Sequence, residues 1–174
     1  MLYLFDLDDT IISGYMNAAD KNYNVWELLP GRREIIDKIA DQSGNWIGIV
    51  TNQAGVAHRH ITESDVRYKL NQVATVLGFD GVTIYDGGVE HRTGAGELPV
   101  WVCYDDKRAK DTRYHLGAGR RKPSGAMIRE AIDEWVAPSS RGVLFVGDRL
   151  EDEAAAKDAD VPFAWAENFF SNPA

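Results

Sequence analysis

Four short clusters in this chain carry residue types that can handle phosphate or a metal ion, and each sits at the edge of a predictable element. The first is Asp6-Leu7-Asp8-Asp9-Thr10. It closes the apolar run Leu2–Leu7, which reads as a buried strand. Side chains two apart on a strand share a face, so Asp6 and Asp8 point the same way. Two such carboxylates repel unless a cation or a proton lies between them. Carboxylate and carbonyl oxygens suit Mg²⁺, which also binds phosphate oxygens. An acidic turn leading into a helix fits the same residues. The second cluster, Thr51-Asn52-Gln53-Ala54-Gly55, follows a second apolar run; its hydroxyl and free backbone N–H groups can hold an anion, and a plain strand-to-helix turn is the alternative. The third, Arg121-Lys122-Pro123-Ser124-Gly125, precedes a helix whose first turn proline favours. Lys122 there can neutralise a phosphate or simply be solvated. In the fourth, Gly147-Asp148-Arg149-Leu150-Glu151-Asp152, Asp148 and Asp152 can serve a metal, or can do no more than complement a helix N-terminus.

The elements that must position these clusters alternate along the chain. Strands are expected over Leu2–Leu7, Trp46–Val50, Val82–Tyr85, Val100–Tyr104, Val143–Val146 and Phe163–Ala166. Helical stripes run through Ile35, Ile36, Ile39 and Ala40 (helix over Arg32–Gln42), and through Val66, Leu70, Val73 and Leu77 (Thr62–Leu77, with Thr62 as N-cap). Further stripes run through Met127, Ile128, Ala131, Ile132 and Trp135 (Ser124–Val136) and over Glu151–Ala159. Gly87–Leu98 is Gly-rich and reads as a loop, and Asp105–Lys122 is polar and dense in charge. Alternation of this kind implies an α/β fold, a parallel sheet covered by helices on both faces. The polar clusters follow strands, where ligands bind in open α/β sheets, so they can converge on one site.

The bulk numbers narrow the reading. A chain of 174 residues with 44% hydrophobic and 26% charged residues is expected to form one ordered domain over 1–174, with a substrate-loop insertion at about 87–121. A net charge of −8, from 19 basic and 27 acidic residues, gives no global attraction to nucleic acid or anionic membrane, although a local basic patch can override the average. One cysteine, Cys103, excludes an internal disulfide framework and a multi-cysteine zinc site. No apolar run approaches the roughly 18–20 residues of a membrane span. The start, MLYLFDLDDT, is too short and too acidic for a signal peptide, and a cytoplasmic location without membrane partners is expected. His58, His60, His91 and His115 lack ligand-like neighbours and read as surface residues. Trp26, Trp46, Trp101, Trp135 and Trp165 read mostly as core.

Taken together and in this order, Asp6-x-Asp8-x-Thr10, Thr51-Asn52-Gln53, Lys122-Pro123 and Gly147-Asp148-x-x-x-Asp152 resemble the four motifs of the haloacid dehalogenase superfamily. The Thr-Asn-Gln-x-Gly form of the second motif, with Arg-Lys-Pro after it, is similar to the branch holding histidinol-phosphate phosphatase, heptose bisphosphate phosphatase and the 3′-phosphatase domain of polynucleotide kinase. The resemblance implies a Rossmann-like sheet with the first strand near its middle and no large cap domain. The interval between Thr10 and Thr51 is too short for a separate cap plus a core helix. One departure stands out. Several metabolite phosphatases of this branch carry a Cys/His zinc loop shortly before Lys-Pro, and here that region offers only Cys103 and His115. No structural zinc is therefore expected.

The resemblance also implies roles. Asp6 would be the nucleophile, forming an aspartyl-phosphate, and Asp8 the general acid and then base. Mg²⁺ would sit on the Asp6 carboxylate, the Asp8 backbone carbonyl and Asp148. Thr51, Asn52 and Lys122 would hold phosphoryl oxygens. Asp152 would orient Lys122 or a metal-bound water, and Thr10 would fix the loop geometry. The expected substrate is a small phosphorylated metabolite. The alternatives are the 3′ end of a nucleic acid, for which Lys107, Arg108, Lys110, Arg113, Arg120 and Arg121 beside Lys122 offer a basic patch, and a catalytically inactive binding module on the same fold. Lys107, Arg108, Lys110, Arg113 and Arg121 are the candidate specificity residues.

Overall fold

The structure, a computed structural model, describes residues 1–15, 21–88, 94–135 and 142–171. His91, Val136, the middle of the expected Gly-rich loop and residues 16–20 lie outside the described residues. Six strands form one parallel sheet: β1 (Leu2–Phe5), β2 (Trp46–Asn52), β3 (Gly81–Tyr85), β4 (Glu97–Cys103), β5 (Val143–Gly147) and β6 (Phe163–Trp165). Their order across the sheet is β3-β4-β2-β1-β5-β6. The chain leaves β1 toward β2 on one side and returns to its other side with β5, Leu4 pairing with Gly48 and with Phe145. The strand order thus reverses at β1, and the carboxyl ends of β1, β2 and β5 open a crevice there.

Alternation along β1 explains the two layers that cover it. Phe5 and Leu7 face a core with Ile36, Ile39, Val66, Leu70 and Phe170, from α1 (Arg32–Ala40), α2 (Glu63–Val76) and α5 (Ala166–Ser171). Leu2 and Leu4 face Met127, Ile128, Ala131, Ala155 and Ala156, from α3 (Ala126–Glu134) and α4 (Leu150–Asp158). Helix α2 begins with a capping box: the Thr62 hydroxyl accepts from Asp65 N–H at 3.1 Å, and the Asp65 carboxylate accepts from Thr62 N–H at 2.8 Å. Between β1 and α1 the described residues form turns and two isolated bridges, and no cap domain stands there.

Three expectations shift. The strand expected over Val100–Tyr104 is longer, Glu97–Cys103, and lies in the sheet interior between β2 and β3, so it cuts the stretch expected to form a substrate loop. Leu98, Val100, Trp101 and Val102 are buried on both of its faces, and the segment from Tyr104 onward is what remains for a loop. Trp46 is 53% exposed, because it starts β2 at the amino edge of the sheet beyond the helices. The short helix α5 was not expected; it delivers Phe169 and Phe170 onto Phe5.

Candidate active site

Just past β1 the chain folds back over the Leu7 carbonyl. Asp6 N–H still donates to Val146 O at 2.9 Å, and the N–H groups of Thr10, Ile11 and Ile12 then all point at Leu7 O, at 3.3, 2.9 and 3.2 Å. Asp9 takes a left-handed conformation (φ 60°), which aspartate tolerates better than most residues. This turn brings Thr10 across to β5, where its hydroxyl donates to Asp148 Oδ1 at 3.2 Å. Thr10 thus ties the loop to one of the candidate metal ligands.

At the floor of the crevice lies a buried ion triad. Lys122, 4% exposed, donates through Nζ to Asp6 Oδ1 (2.5 Å), Asp152 Oδ1 (2.6 Å) and the Val50 carbonyl (3.2 Å). Burial works against the ammonium, but the Asp6 and Asp152 carboxylates outweigh it and hold its proton more tightly than usual. Asp152 uses its other oxygen to accept from the backbone N–H of Asp148 (3.2 Å) and Arg149 (3.1 Å). It therefore fixes both Lys122 and the start of α4. This close approach explains Gly147, where an added Cβ would stand 2.5 Å from the Asp152 Cβ.

Three carboxylates, Asp6, Asp148 and Asp152, present oxygens within 4.8 Å of one another. Lys122 supplies one positive charge among them. Burial pushes the Asp6 carboxyl up to about 8 against the pull of Lys122, and pushes Asp148 up too, with the Asp152 charge adding to both. A donor set of this kind is short of positive charge, and a hard divalent cation on the Asp6–Asp148 side fits it. Both Asp152 oxygens are already taken up by Lys122 and the backbone, which leaves Asp6 and Asp148 as the carboxylates free to ligate.

Asp8 points elsewhere. Its Oδ2 accepts from Gln53 Nε2 at 2.9 Å, and its Oδ1 has no hydrogen-bond partner among the described residues. Burial raises this carboxyl, against the charge of Lys69 and the Gln53 hydrogen bond. Gln53 Nε2 also donates to Thr51 Oγ1 at 3.0 Å. Thr51 is buried and supports Gln53, whereas Asn52 lines the crevice and clamps the third motif. Asn52 Nδ2 donates to Lys122 O (3.1 Å) and its Oδ1 accepts from Lys122 N–H (3.0 Å). The structure thus gives the side chains of both residues supporting contacts around Lys122 and Gln53.

Above the triad opens a cavity of about 410 Å³, lined among others by Asp6, Asp8, Tyr15, Asn52, Lys122 and Asp152. The expected specificity residues divide around it. Arg108 and Arg121 line the cavity, and Arg121 Nη1 has no hydrogen-bond partner among the described residues. Arg108 is tied down by Asp106 at 2.9 Å, and Arg113 by Asp111 at 2.6 Å. Each arginine hydrogen-bonds and holds its aspartate well below the usual carboxylate range. Arg113 lies in a neighbouring groove with Arg59 and Tyr114, outside the cavity. Lys107 and Lys110 are exposed and line neither. Cys103 Sγ faces the Gly117 carbonyl at 3.7 Å, and His115 Nε2 lies 2.7 Å from the Ala109 carbonyl.

Sequence reasoning missed several lining residues. His58 and His60 are exposed, as expected, but they stack at 6.2 Å on the cavity wall, with His58 Nε2 3.3 Å from Asp106. Arg149 and Glu151 also line the wall. The Gly55-x-x-His58-x-His60 turn directly after the second motif was the available signal.

A sheet reversing at β1 with carboxylates at the ends of β1 and β5 and a buried lysine between them is the architecture of a haloacid dehalogenase-type phosphatase. The comparisons narrow the class. The sequence profile described as polynucleotide kinase 3 phosphatase matches residues 1–172, and the chain belongs to that family. A D-glycero-beta-D-manno-heptose-1,7-bisphosphate 7-phosphatase from Rhodopseudomonas palustris is 28% identical over 152 residues, 86% of this chain and 76% of the relative. The fold is shared with a D,D-heptose 1,7-bisphosphate phosphatase from B. bronchiseptica complexed with magnesium and phosphate (TM-score 0.67, 23% identity, 94% of this chain and 78% of that one). It is shared as well with a HAD-like phosphatase from Mesorhizobium loti (TM-score 0.68, 23% identity, 91% and 68%). The protein is a phosphoric monoester hydrolase. None of its described helices is long and apolar enough to cross a membrane.

Proposed function

We propose that the chain is a Mg²⁺-dependent phosphatase of a small phosphorylated metabolite that works through an aspartyl-phosphate on Asp6. The observation that carries this reading is the buried Asp6–Lys122–Asp152 triad beside Asp148, with one carboxylate, Asp6, shared between the lysine and the candidate metal cluster. Asp6 attacks phosphorus in line as the P–O bond to the leaving group breaks. Asp8, on a separate hydrogen-bond system, gives its proton to the departing oxygen and later takes one from the water that cleaves the aspartyl-phosphate. Lys122 holds a phosphoryl oxygen while Asp152 and Asn52 keep it in place. A magnesium ion held by the Asp6 carboxylate, the Asp8 carbonyl and Asp148 would neutralise phosphoryl charge.

Three features favour a small substrate. The cavity volume of about 410 Å³ is within the usual range for small-molecule sites. Arg108 and Arg113 are already paired with buried aspartates, so the basic stretch offers far less free charge to a polynucleotide than its composition suggests. The curated relative named above acts on a sugar bisphosphate. The whole described chain builds around one sheet, and we read it as one domain over 1–174, with residues 104–121 forming the substrate-facing loop; its setting is cytoplasmic in this reading. The test is a panel of phosphomonoesters, sugar phosphates and 3′-phosphorylated oligonucleotides among them, with Mg²⁺ and with EDTA. Preference for a sugar phosphate with Mg²⁺ supports the proposal. Preference for the oligonucleotide overturns the substrate, and no turnover of any ester overturns the enzyme.

A further inference from the structure

Lys69 is a lysine where the helix pattern calls for an apolar residue. It lies on the inward face of α2 beside Val66, Leu70 and Val73, and it is 1% exposed. Its ammonium has no hydrogen-bond partner among the described residues. It stands instead 3.3 Å from the centroid of the Tyr23 ring and 5.6 Å from that of Tyr15. An unpaired buried ammonium is expensive, and an aromatic face offsets only part of that cost. Tyr23 is itself buried, and its hydroxyl donates to Gln53 Oε1 at 3.2 Å. Gln53 in turn donates to Asp8 Oδ2 at 2.9 Å.

The chain of contacts has a chemical consequence. An N–H facing Oδ2 makes that oxygen an acceptor and sets the rotation of the Asp8 carboxyl. Gln53 keeps this orientation only while its own amide is fixed, and Tyr23 OH on Oε1 fixes it. A flipped amide would put Oε1 against the Asp8 carboxylate. Burial lowers the Lys69 ammonium to about 8, with Asp8 opposing the shift, so it stays largely charged at neutral pH.

We infer that Lys69 is a positioning residue for the general acid: by clamping the Tyr23 ring it locks the Tyr23–Gln53–Asp8 relay that holds the Asp8 carboxyl for proton delivery to the leaving oxygen. The inference rests on Asp8 being the acid. In the step it serves, the Asp6–phosphorus bond forms, the P–O bond to the leaving group breaks, and the Asp8 carboxyl proton moves to the leaving oxygen.

The test uses leaving groups that differ in their need for a proton. An alkoxide leaves only if protonated, whereas p-nitrophenolate leaves unaided. Rapid-mixing measurements give the rate of the first step for an alkyl phosphate and for p-nitrophenyl phosphate in wild type, Lys69→Met, Tyr23→Phe and Asp8→Asn. Methionine matches the length of the lysine stem and removes a buried charge, so Lys69→Met should melt no lower than wild type. The inference predicts that Lys69→Met and Tyr23→Phe each slow the alkyl ester about tenfold, a fraction of the whole acid contribution, with unchanged KM and with the aryl ester spared. Equal losses on both esters, or no loss on either, would overturn it. Asp8→Asn separates the two levels. If it too shows no leaving-group dependence, the assignment of Asp8 fails; if it shows the dependence and the other two variants do not, only the role of Lys69 fails.

Discussion

Lys122→Met should destabilise the protein strongly, and most of all at alkaline pH. In the wild type the ammonium donates to two carboxylates and one carbonyl, all shut away from water. Removing it strands Asp6 and Asp152 together, and breaking a buried pair in this way costs about 3–5 kcal/mol. That is a large part of the roughly 5–15 kcal/mol that holds a domain together. Two carboxylates so close do not both stay ionised, so without the lysine the folded variant keeps a proton on Asp6 up to a higher pH than the wild type does. The sign follows from linkage. Burial lifts Asp6 to about 8 even with the lysine opposing it, and loss of the lysine lifts the folded group further, while the unfolded carboxyl titrates near its ordinary value, about 4, in both proteins. The extra penalty of the variant is therefore full above its own folded value, is relieved by up to about 1.4 kcal/mol per pH unit as the pH falls toward about 8, and is constant below that, where both proteins carry the proton. Urea unfolding of both proteins in EDTA at pH 9.5, 8 and 6.5 measures this, with the chelator removing any metal contribution. A variant within about 0.5 kcal/mol of the wild type at pH 8, the scale of an ordinary surface change, would refute the buried triad. A penalty that grows on acidification would refute the linkage argument.

Other outcomes follow from the same contacts. Asp8→Asn should lower kcat by roughly 10² to 10⁴-fold in steady-state assays, the usual worth of a general acid and base; a loss below about tenfold would assign that job to another group. Thr62→Ala breaks the capping box of α2 and should cost about 1 kcal/mol in urea melts without altering KM. Alanine at Lys107, Arg108, Lys110 and Arg113 should leave the salt dependence of turnover almost flat if the substrate is a metabolite. A slope reduced by about one for each lost phosphate contact would instead identify a polynucleotide.

Much of the fold was legible because its elements carry clean periods. The stripes of α1, α2 and α3 bury the expected residues, among them Ile36, Val66, Leu70 and Met127. β4 was harder to read from sequence: it opens Glu97-Leu98-Pro99 after a Gly-rich run, and only its partners β2 and β3 make it a central strand. The six-residue helix α5 is too short to show a period. At the site, the motif residues Asp6, Lys122, Asp148 and Asp152 converge because each ends or follows an element at the carboxyl edge of the sheet. What composition concealed was pairing. The run from Lys107 to Arg121 reads as free positive charge, yet Asp106 and Asp111 each stand two residues before the arginine they neutralise. That Asp-x-Arg spacing was visible in the sequence; its meaning was not, because nothing local shows that both aspartates are buried. Lys69 falls on the inward stripe of α2 beside Val66, Leu70 and Val73, but only the packing of Tyr15 and Tyr23 shows that a lysine there stays buried instead of reaching solvent.

The central claim is that phosphorus passes through Asp6, and the most direct measurement is to catch it there. Enzyme turning over a good substrate with Mg²⁺ is quenched in acid within milliseconds, digested and mapped by mass spectrometry. The account predicts one phosphoryl group on the N-terminal peptide, localised to Asp6, formed and lost at rates compatible with kcat and absent from Asp6→Asn, which should be folded but inactive. A phosphoryl group on any other residue would contradict the account, as would an Asp6→Asn protein that keeps more than a few per cent of wild-type turnover.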